Sequence, residues 1–275
     1  MKFKPLFLIF SLTLWSVQVD AVEVCGRVGQ GEIVIGKASA EDKVSLNGDS
    51  LLTDNGLFLM AFGRDEGAAQ ELKISSKSGE ESYRFAVAPT QWDIQNIKGV
   101  PERKVTPSDS DLAAIDKERR LMRAALKELN PETHWKDGFI HPVEGRVSGN
   151  FGGQRIMNNV PKNPHQGMDI AAKEGTPVKA AADGKVVLAY PDLFYSGNVI
   201  VLDHGFGLQT IYAHLKAMNV ARGDEVKQGD IIGAVGKTGR ATGPHLHWGA
   251  SLRNVRFNPK SLLKMNKDNE NCFSL

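Results

Sequence analysis

Gly243-Pro244-His245-Leu246-His247, read together with His165-Gln166-Gly167-Met168-Asp169 and Tyr212-Ala213-His214-Leu215, decides the fold expected of this 275-residue chain. His245 and His247 are two apart, and on a β-strand residues i and i+2 point to one face. His165 and Asp169 are four apart, and Gly167 between them lets the chain bend so that both side chains converge. His214 follows the β-rich run 209–212. Five polar groups from three separate segments would have to meet at one point of a β-sheet.

Metal chemistry accounts for that choice of residues. A catalytic zinc takes three protein ligands of the His, Asp, Glu or Cys type and keeps one position open for water. The three motifs supply three such ligands and leave two histidines for proton transfer. A lone histidine is ordinarily a hydrogen-bonded surface or core residue, and His134, His141 and His204 are read that way. There is no His-Glu-x-x-His helix to provide a glutamate base. There is also no Gly-x-Ser-x-Gly elbow for a serine nucleophile. The run from Gly233 to Thr238 fails the spacing of a phosphate loop, because Ile231 stands where its first glycine is required.

The catalytic motifs lie in a stretch of short strands punctuated by Gly and Pro, expected to form a compact β domain over 135–265. Within it Gly175–Lys179 with 184–187 echoes Gly223–Lys227 with 229–232. This is read as a duplicated unit of two short strands about a tight turn. Ahead of it, 22–100 reads as a small β-sandwich-like domain. Its β-rich runs at 32–35, 43–46, 57–60 and 83–87 are separated by turn pairs such as Asn47-Gly48 and Asn55-Gly56. A linker over 101–134 carries one helix, 109–130. Leu112, Ile115, Met122, Leu126 and Leu129 share one face of it, Ser108 with Asp111 makes a capping box, and Asn130-Pro131 stops it. The helix is expected to pack between the two β domains. The fold class is mainly β.

The ends of the chain speak to compartment. Lys2 and Lys4 precede an almost wholly apolar run, 6–17, and the small-residue site Val19-Asp20-Ala21. This is the pattern of a cleaved signal peptide over 1–21. The run is too short to span a bilayer comfortably, and no other segment is long and apolar enough, so the mature chain is expected to lack a transmembrane segment. Val24 stands where lipidation of Cys25 would need a small residue. The two cysteines, Cys25 and Cys272, form an even count in an exported chain and predict a disulfide closing the fold onto its tail, 266–275. A formal net charge of +2 gives no argument for nucleic acid as a partner. No motif encodes an oligomer, and a monomer is the default.

On these residues the chain resembles the lysostaphin/LytM family of zinc metallo-endopeptidases, which cut the peptide parts of bacterial peptidoglycan. The resemblance spans about 138–262 and includes Gly145–Gly152, His165–Ala172 and Gly239–Trp248. It implies a β-sheet groove with one Zn2+ on its floor, His165, Asp169 and His247 as metal ligands, and His214 and His245 as the catalytic pair. By the same resemblance His245 would handle the proton of the attacking water and His214 would face the oxyanion, or the reverse. The partner would be peptidoglycan, the location the periplasm or cell envelope, and the activity a D,D-endopeptidase by analogy with exported proteobacterial members. The alternative is a non-catalytic peptidoglycan-binding or hydrolase-activating envelope protein, though such relatives typically lack the zinc ligands. Arg155 reads either as a partner for a substrate carboxylate or as a surface salt bridge. Asn158 and Asn159 are candidates for the metal's fourth position in a latent form.

Overall fold

The computed structural model describes residues 22–265 and 272–274. The signal peptide expected at 1–21 and positions 266–271 and 275 of the tail lie outside the described residues. The leading part holds β1 (Glu23–Cys25), β2 (Ile33–Lys37), β3 (Lys43–Leu46), β4 (Asp49–Ser50), β5 (Leu57–Ala61), β6 (Ala69–Ser76), β7 (Gly79–Ala86) and β8 (Ile94–Ile97). Strands β1, β2 and β5 share one sheet, and β4, β3, β6 and β7 form a second. Positive φ at both Asn47 and Gly48, and at both Asn55 and Gly56, gives the hairpin turns that the right-handed strand twist favours. Val24, Val34, Phe58 and Met60 from the first sheet meet Val44, Leu72 and Ile74 from the second in one apolar cluster, a sandwich-like arrangement. The opposite face of the first sheet is not left to solvent: Ile33, Leu59 and Ala61 join the largest core of the molecule.

A short helix, α1 (Glu102–Val105), precedes α2 (Asp109–Ala125), whose capping box pairs Ser108 with Asp111. The helix was expected to continue to 130 and ends five residues sooner. Beyond Ala125 the backbone bonds outward: the Glu128 carbonyl accepts from Gln209 Nε2 at 3.0 Å and the Asn130 carbonyl from Phe206 N–H at 2.8 Å. These tertiary bonds take acceptors that further helical turns would have used. Leu112 and Leu129, assigned to the packed face, are about half exposed at 54% and 52%.

The remaining strands are β9 (Arg146–Gly149), β10 (Gln154–Met157), β11 (Val160–Pro161), β12 (Met168–Ala171), β13 (Pro177–Lys179), β14 (Gly184–Leu193), β15 (Gly197–Asp203), β16 (Leu208–Leu215), β17 (Ala217–Met218), β18 (Glu225–Val226), β19 (Ile231–Ala234), β20 (His245–Leu252), β21 (Val255–Phe257) and β22 (Cys272–Ser274). Their main sheet runs β18-β14-β15-β16-β20-β12-β9, with β21 paired to β20 where β12 stops. One face buries Leu246, Trp248, Tyr212, Ile200 and Leu202 against the smaller sheet β13-β19-β17. Helix α2 covers part of the other face, its Ala125 and Leu126 packing on Leu188, Val199, Val201 and Ile211.

The echoed β units are interlocked rather than separate. β13 of the first copy pairs with β19 of the second, and β14 of the first pairs with β18 of the second. Each unit's two strands thus find their ladder partners in the other unit, because a two-stranded hairpin alone cannot bury its apolar face. Two further pairings tie distant segments together. β8 runs parallel to β10, and β22 pairs with β1, where Cys25 and Cys272 form a disulfide across a sequence separation of 247. Among the described residues no helix is long and apolar enough to cross a membrane.

Candidate metal centre and its groove

Strand register brings the charged cluster together. Asp169 on β12 stands directly opposite His247 on β20, and His247 stands opposite Ala213 on β16, so all three project to one face. His165 arrives from the loop before β12, where its N–H donates to the Gly153 carbonyl and its carbonyl accepts from Gly152 N–H. Two glycines make room. A Cβ at Gly167 would lie 2.6 Å from the His247 ring, and one at Gly149 would lie 2.8 Å from Asp169 Oδ2. The bend expected of Gly167 is therefore joined by a second requirement, close approach of the backbone to an imidazole.

The three donor atoms form a nearly equilateral triangle. His165 Nε2 and His247 Nδ1 are 3.0 Å apart, His247 Nδ1 and Asp169 Oδ1 2.9 Å, and His165 Nε2 and Asp169 Oδ1 3.0 Å. Among the described residues this is the group of acidic, His or Cys side chains able to hold a metal ion. The second ring nitrogen settles the tautomer of three histidines, since a carbonyl can only accept. His165 Nδ1–H donates to the Asn150 carbonyl, His214 Nδ1–H to Thr238 and His245 Nδ1–H to Gly243, each at 2.9 Å. In the neutral ring each Nε2 therefore carries a lone pair.

His214 reaches this group through a break in its strand. Its φ is +64°, and the β15–β16 ladder slips between Asn198 and Ile200, a bulge that places an extra residue on β16. Regular alternation would turn His214 away from the face shared by Ala213 and His247. The bulge re-aims it, leaving its ring 4.8 Å from His245 and 5.8 Å from His247, centroid to centroid.

Electrostatics keep the His165, His214 and His247 imidazoles neutral and the carboxylate charged. Burial depresses His165, pulls His247 down to about 4 and, with His245 and His247 as neighbours, holds His214 well below the usual range. Burial opposes ionisation of Asp169 too, but its polar contacts with His165 and His247 outweigh it and hold the carboxyl well below its ordinary value. Arg155 adds a charged contact, Nη2 to Asp169 Oδ2 at 2.6 Å. Of the two readings of Arg155, the structure shows a salt bridge, but a largely buried one made to a member of the cluster rather than one at the surface. Asn158 and Asn159 stand elsewhere. They form the β10–β11 turn, and the Asn158 side chain is bonded to the Val100 backbone. His204 is a buried core residue bonded to the Asp183 carbonyl and to Thr210 Oγ1, His134 pairs with Glu132, and His141 is exposed.

A cleft of about 730 Å3 opens over the cluster, with α2 as one wall. The wall is fastened by Glu118, whose carboxylate accepts from Tyr195 N–H (2.7 Å), Ser196 N–H (2.9 Å) and Ser196 Oγ–H (2.5 Å). Arg240 lies over the Tyr195 ring at 4.3 Å. Glu118 belongs to no recognisable motif and only the tertiary arrangement reveals it, while Arg240 lies within the Gly239–Trp248 motif without being singled out by it.

An open two-imidazole, one-carboxylate site in a β-sheet groove, with two spare histidines beside it, has the make-up of a metallopeptidase centre. Residues 163–259 match the family model described as Peptidase family M23, and the chain carries an M23 peptidase domain. It is 43% identical over 129 residues to the "DD-carboxypeptidase/endopeptidase Mpg" of Neisseria meningitidis serogroup B, a match covering 46% of this chain and 30% of that protein. It is 41% identical over 132 residues to the "Peptidoglycan DD-endopeptidase ShyA" of Vibrio cholerae, covering 46% and 29%. The chain thus spans less than a third of the length of the curated relatives it matches. A crystal structure from Pseudomonas aeruginosa, described as a candidate peptidase M23, superposes with a TM-score of 0.69 at 27% identity over 88% of this chain and 97% of that one.

Proposed function

We propose that this chain is an exported zinc endopeptidase that hydrolyses peptide cross-links or stem peptides of peptidoglycan, as a D,D-endopeptidase. The observation that carries the reading is the donor triangle His165–Asp169–His247 with the lone-pair nitrogens of His214 and His245 beside it. Neutral imidazoles and an ionised carboxylate at this spacing suit Zn2+, which takes N and O donors and tolerates an open position. When bound there, the metal would polarise the scissile carbonyl and make water nucleophilic at neutral pH. The relatives named for peptidoglycan supply the substrate class, and the Cys25–Cys272 disulfide suits an oxidising compartment such as the periplasm. Domain limits at 22–100, 101–134 and 135–265 and a monomeric state are part of the same proposal.

The two spare histidines divide the proton work. His245 Nε2, 3.7 Å from Asp169 Oδ1 and left free by the Nδ1–Gly243 bond, takes the proton of the attacking water. Burial resists protonation of His214, whose Nδ1–H is committed to Thr238. His214 can donate to the oxyanion only as an imidazolium, and the negative charge developing beside it adds to that of Asp169 in favouring that form.

Metal analysis and product mass spectrometry on defined muropeptides test the proposal. One zinc per chain is expected, lost in His165→Ala, Asp169→Ala and His247→Ala. His214→Ala and His245→Ala are expected to keep the metal and lose roughly 10²–10⁴-fold in kcat. A protein that binds sacculi but releases no fragments would instead be a wall-binding or hydrolase-activating one.

A further inference from the structure

Arg256 stands in the cleft because of strand register. Ser251 shares the face of His245 and His247 on β20, and β21 sets Arg256 directly opposite Ser251. Gln209 on β16 stands opposite Ser251 on its other side, so three polar side chains run across three adjacent strands. That row lies four residues along β20 from His247, about 13 Å at the usual strand rise. Arg256 lines the same cleft as His165 and His247.

The row is only partly satisfied. Gln209 and Ser251 are fully buried, yet Gln209 Oε1 and Ser251 Oγ have no hydrogen-bond partner among the described residues. No acidic side chain is paired with Arg256 among them, and burial alone pulls its guanidinium down to about 10. Arg256 is half-buried, and an unpaired cation partly withdrawn from water is ordinarily matched by an anion. The cleft offers none of its own. Glu118, the one carboxylate lining it among the described residues, is taken up by the Tyr195 and Ser196 donors, while Arg119, Lys162 and Arg240 add further positive charge.

We propose that Arg256, flanked by Ser251, is a carboxylate-reading subsite, so that the substrate is an acidic peptide bearing a free carboxylate within reach of the cleft that holds the bond cut. The proposal rests on the endopeptidase reading above. A guanidinium fork matches a carboxylate with two parallel hydrogen bonds, which a neutral amide cannot accept in the same way.

The test compares two cross-linked muropeptides that differ only in whether their free carboxylates are amidated, using the full-length, metal-loaded protein. The acid form is expected to be cleaved roughly ten- to a hundredfold better in kcat/KM, through KM. Arg256→Gln should erase that preference by losing on the acid form, and Arg256→Lys should keep part of it. Equal cleavage of both forms by the parent protein, or an equal loss on both in Arg256→Gln, would overturn the subsite. Binding of the same pair to His245→Ala, followed by calorimetry, separates this idea from the endopeptidase reading. Tighter binding of the acid form, lost in His245→Ala/Arg256→Gln, sustains the subsite even where nothing is cleaved, and equal or absent binding overturns it. Melting supplies a third readout: replacing an unpaired half-buried charge should leave Tm unchanged or raise it, and a marked fall would make Arg256 a structural residue.

Discussion

β16 and β7 are both eight residues long and live under opposite conditions. Every residue of β16 is buried, whereas β7 alternates exposed with half-buried residues along its length. β7 is the outer strand of its sheet, with one face in solvent. β16 is covered on one face by the main core and on the other by α2 and the cleft, so even Gln209 and Thr210 are enclosed. The difference shows where this molecule can hold histidines in fixed positions: on a strand that neither face lets move, interrupted once, at His214, where an imidazole has to be turned.

The largest expected effect breaks the comparison at a residue type the two strands share. Tyr212 on β16 is fully buried, and its hydroxyl accepts from Ala181 N–H at 3.0 Å. Tyr83 on β7 is half-buried beside Glu81. Tyr212→Ala should cost about 4 kcal/mol and Tyr83→Ala about 1 kcal/mol or less, by urea unfolding. Equal losses would show that the leading hairpin is as tightly packed as the site floor.

The disulfide sharpens the contrast from the other side. It ties β1 to β22 at the edge of the leading sheet, far along the chain from the histidines. The paired change Cys25→Ser/Cys272→Ser should cost about 3 kcal/mol of stability, largely through the unfolded chain, and leave metal affinity unchanged. A matching fall in metal affinity would mean that the two regions melt as one.

Glu118 fastens α2, one wall of the cleft, to the connection between β14 and β15. Glu118→Gln keeps the shape, loses the charge on three hydrogen bonds and should cost about 2 kcal/mol. Hydrogen exchange should quicken across α2 and stay unchanged in β16. Protection that falls equally in both would remove the distinction between wall and floor.

These contrasts also explain what could be read from the sequence. Glycine-marked hairpins, the Ser108–Asp111 capping box and the spacing within each histidine motif are local, and local sterics or strand periodicity determine them. The Cys25–Cys272 bond was readable because two cysteines allow one pairing. Hidden were the β8–β10 ladder, the exchange of partners between the echoed units, the early end of α2 and the Glu118 fastening. Each depends on surfaces that meet only after the chain has folded, and nothing within a few residues of Glu118 or Arg256 marks them as cleft residues. The His214 bulge is intermediate: the histidine stood out, but the turn that aims it arises from ladder slippage against β15.

The smallest effect probes how deeply the floor sheet is buried. Asp203 closes β15 at 2% exposure, and burial raises its carboxyl to about 6, with Glu128 adding to the shift and the Gly205 N–H opposing it. The fold therefore favours its protonated form, and that contribution to stability is complete below the unfolded value near 4 and lost as pH rises through about 6. The neighbouring His204 behaves oppositely. Burial lowers it to about 4, so its contribution is present above about 6.5 and lost as pH falls through 4. In the parent protein the two trends offset each other between pH 4 and 6.5. Asp203→Asn cannot ionise and should expose the His204 trend alone, with stability rising across that window. Relative to the parent it should gain on the order of 1 kcal/mol at pH 8 over its value at pH 4, measured on metal-free protein so that the cluster histidines contribute equally to both. A difference that does not change with pH would mean that Asp203 is solvated after all, and that the floor sheet is less sealed at the end of β15 than along β16.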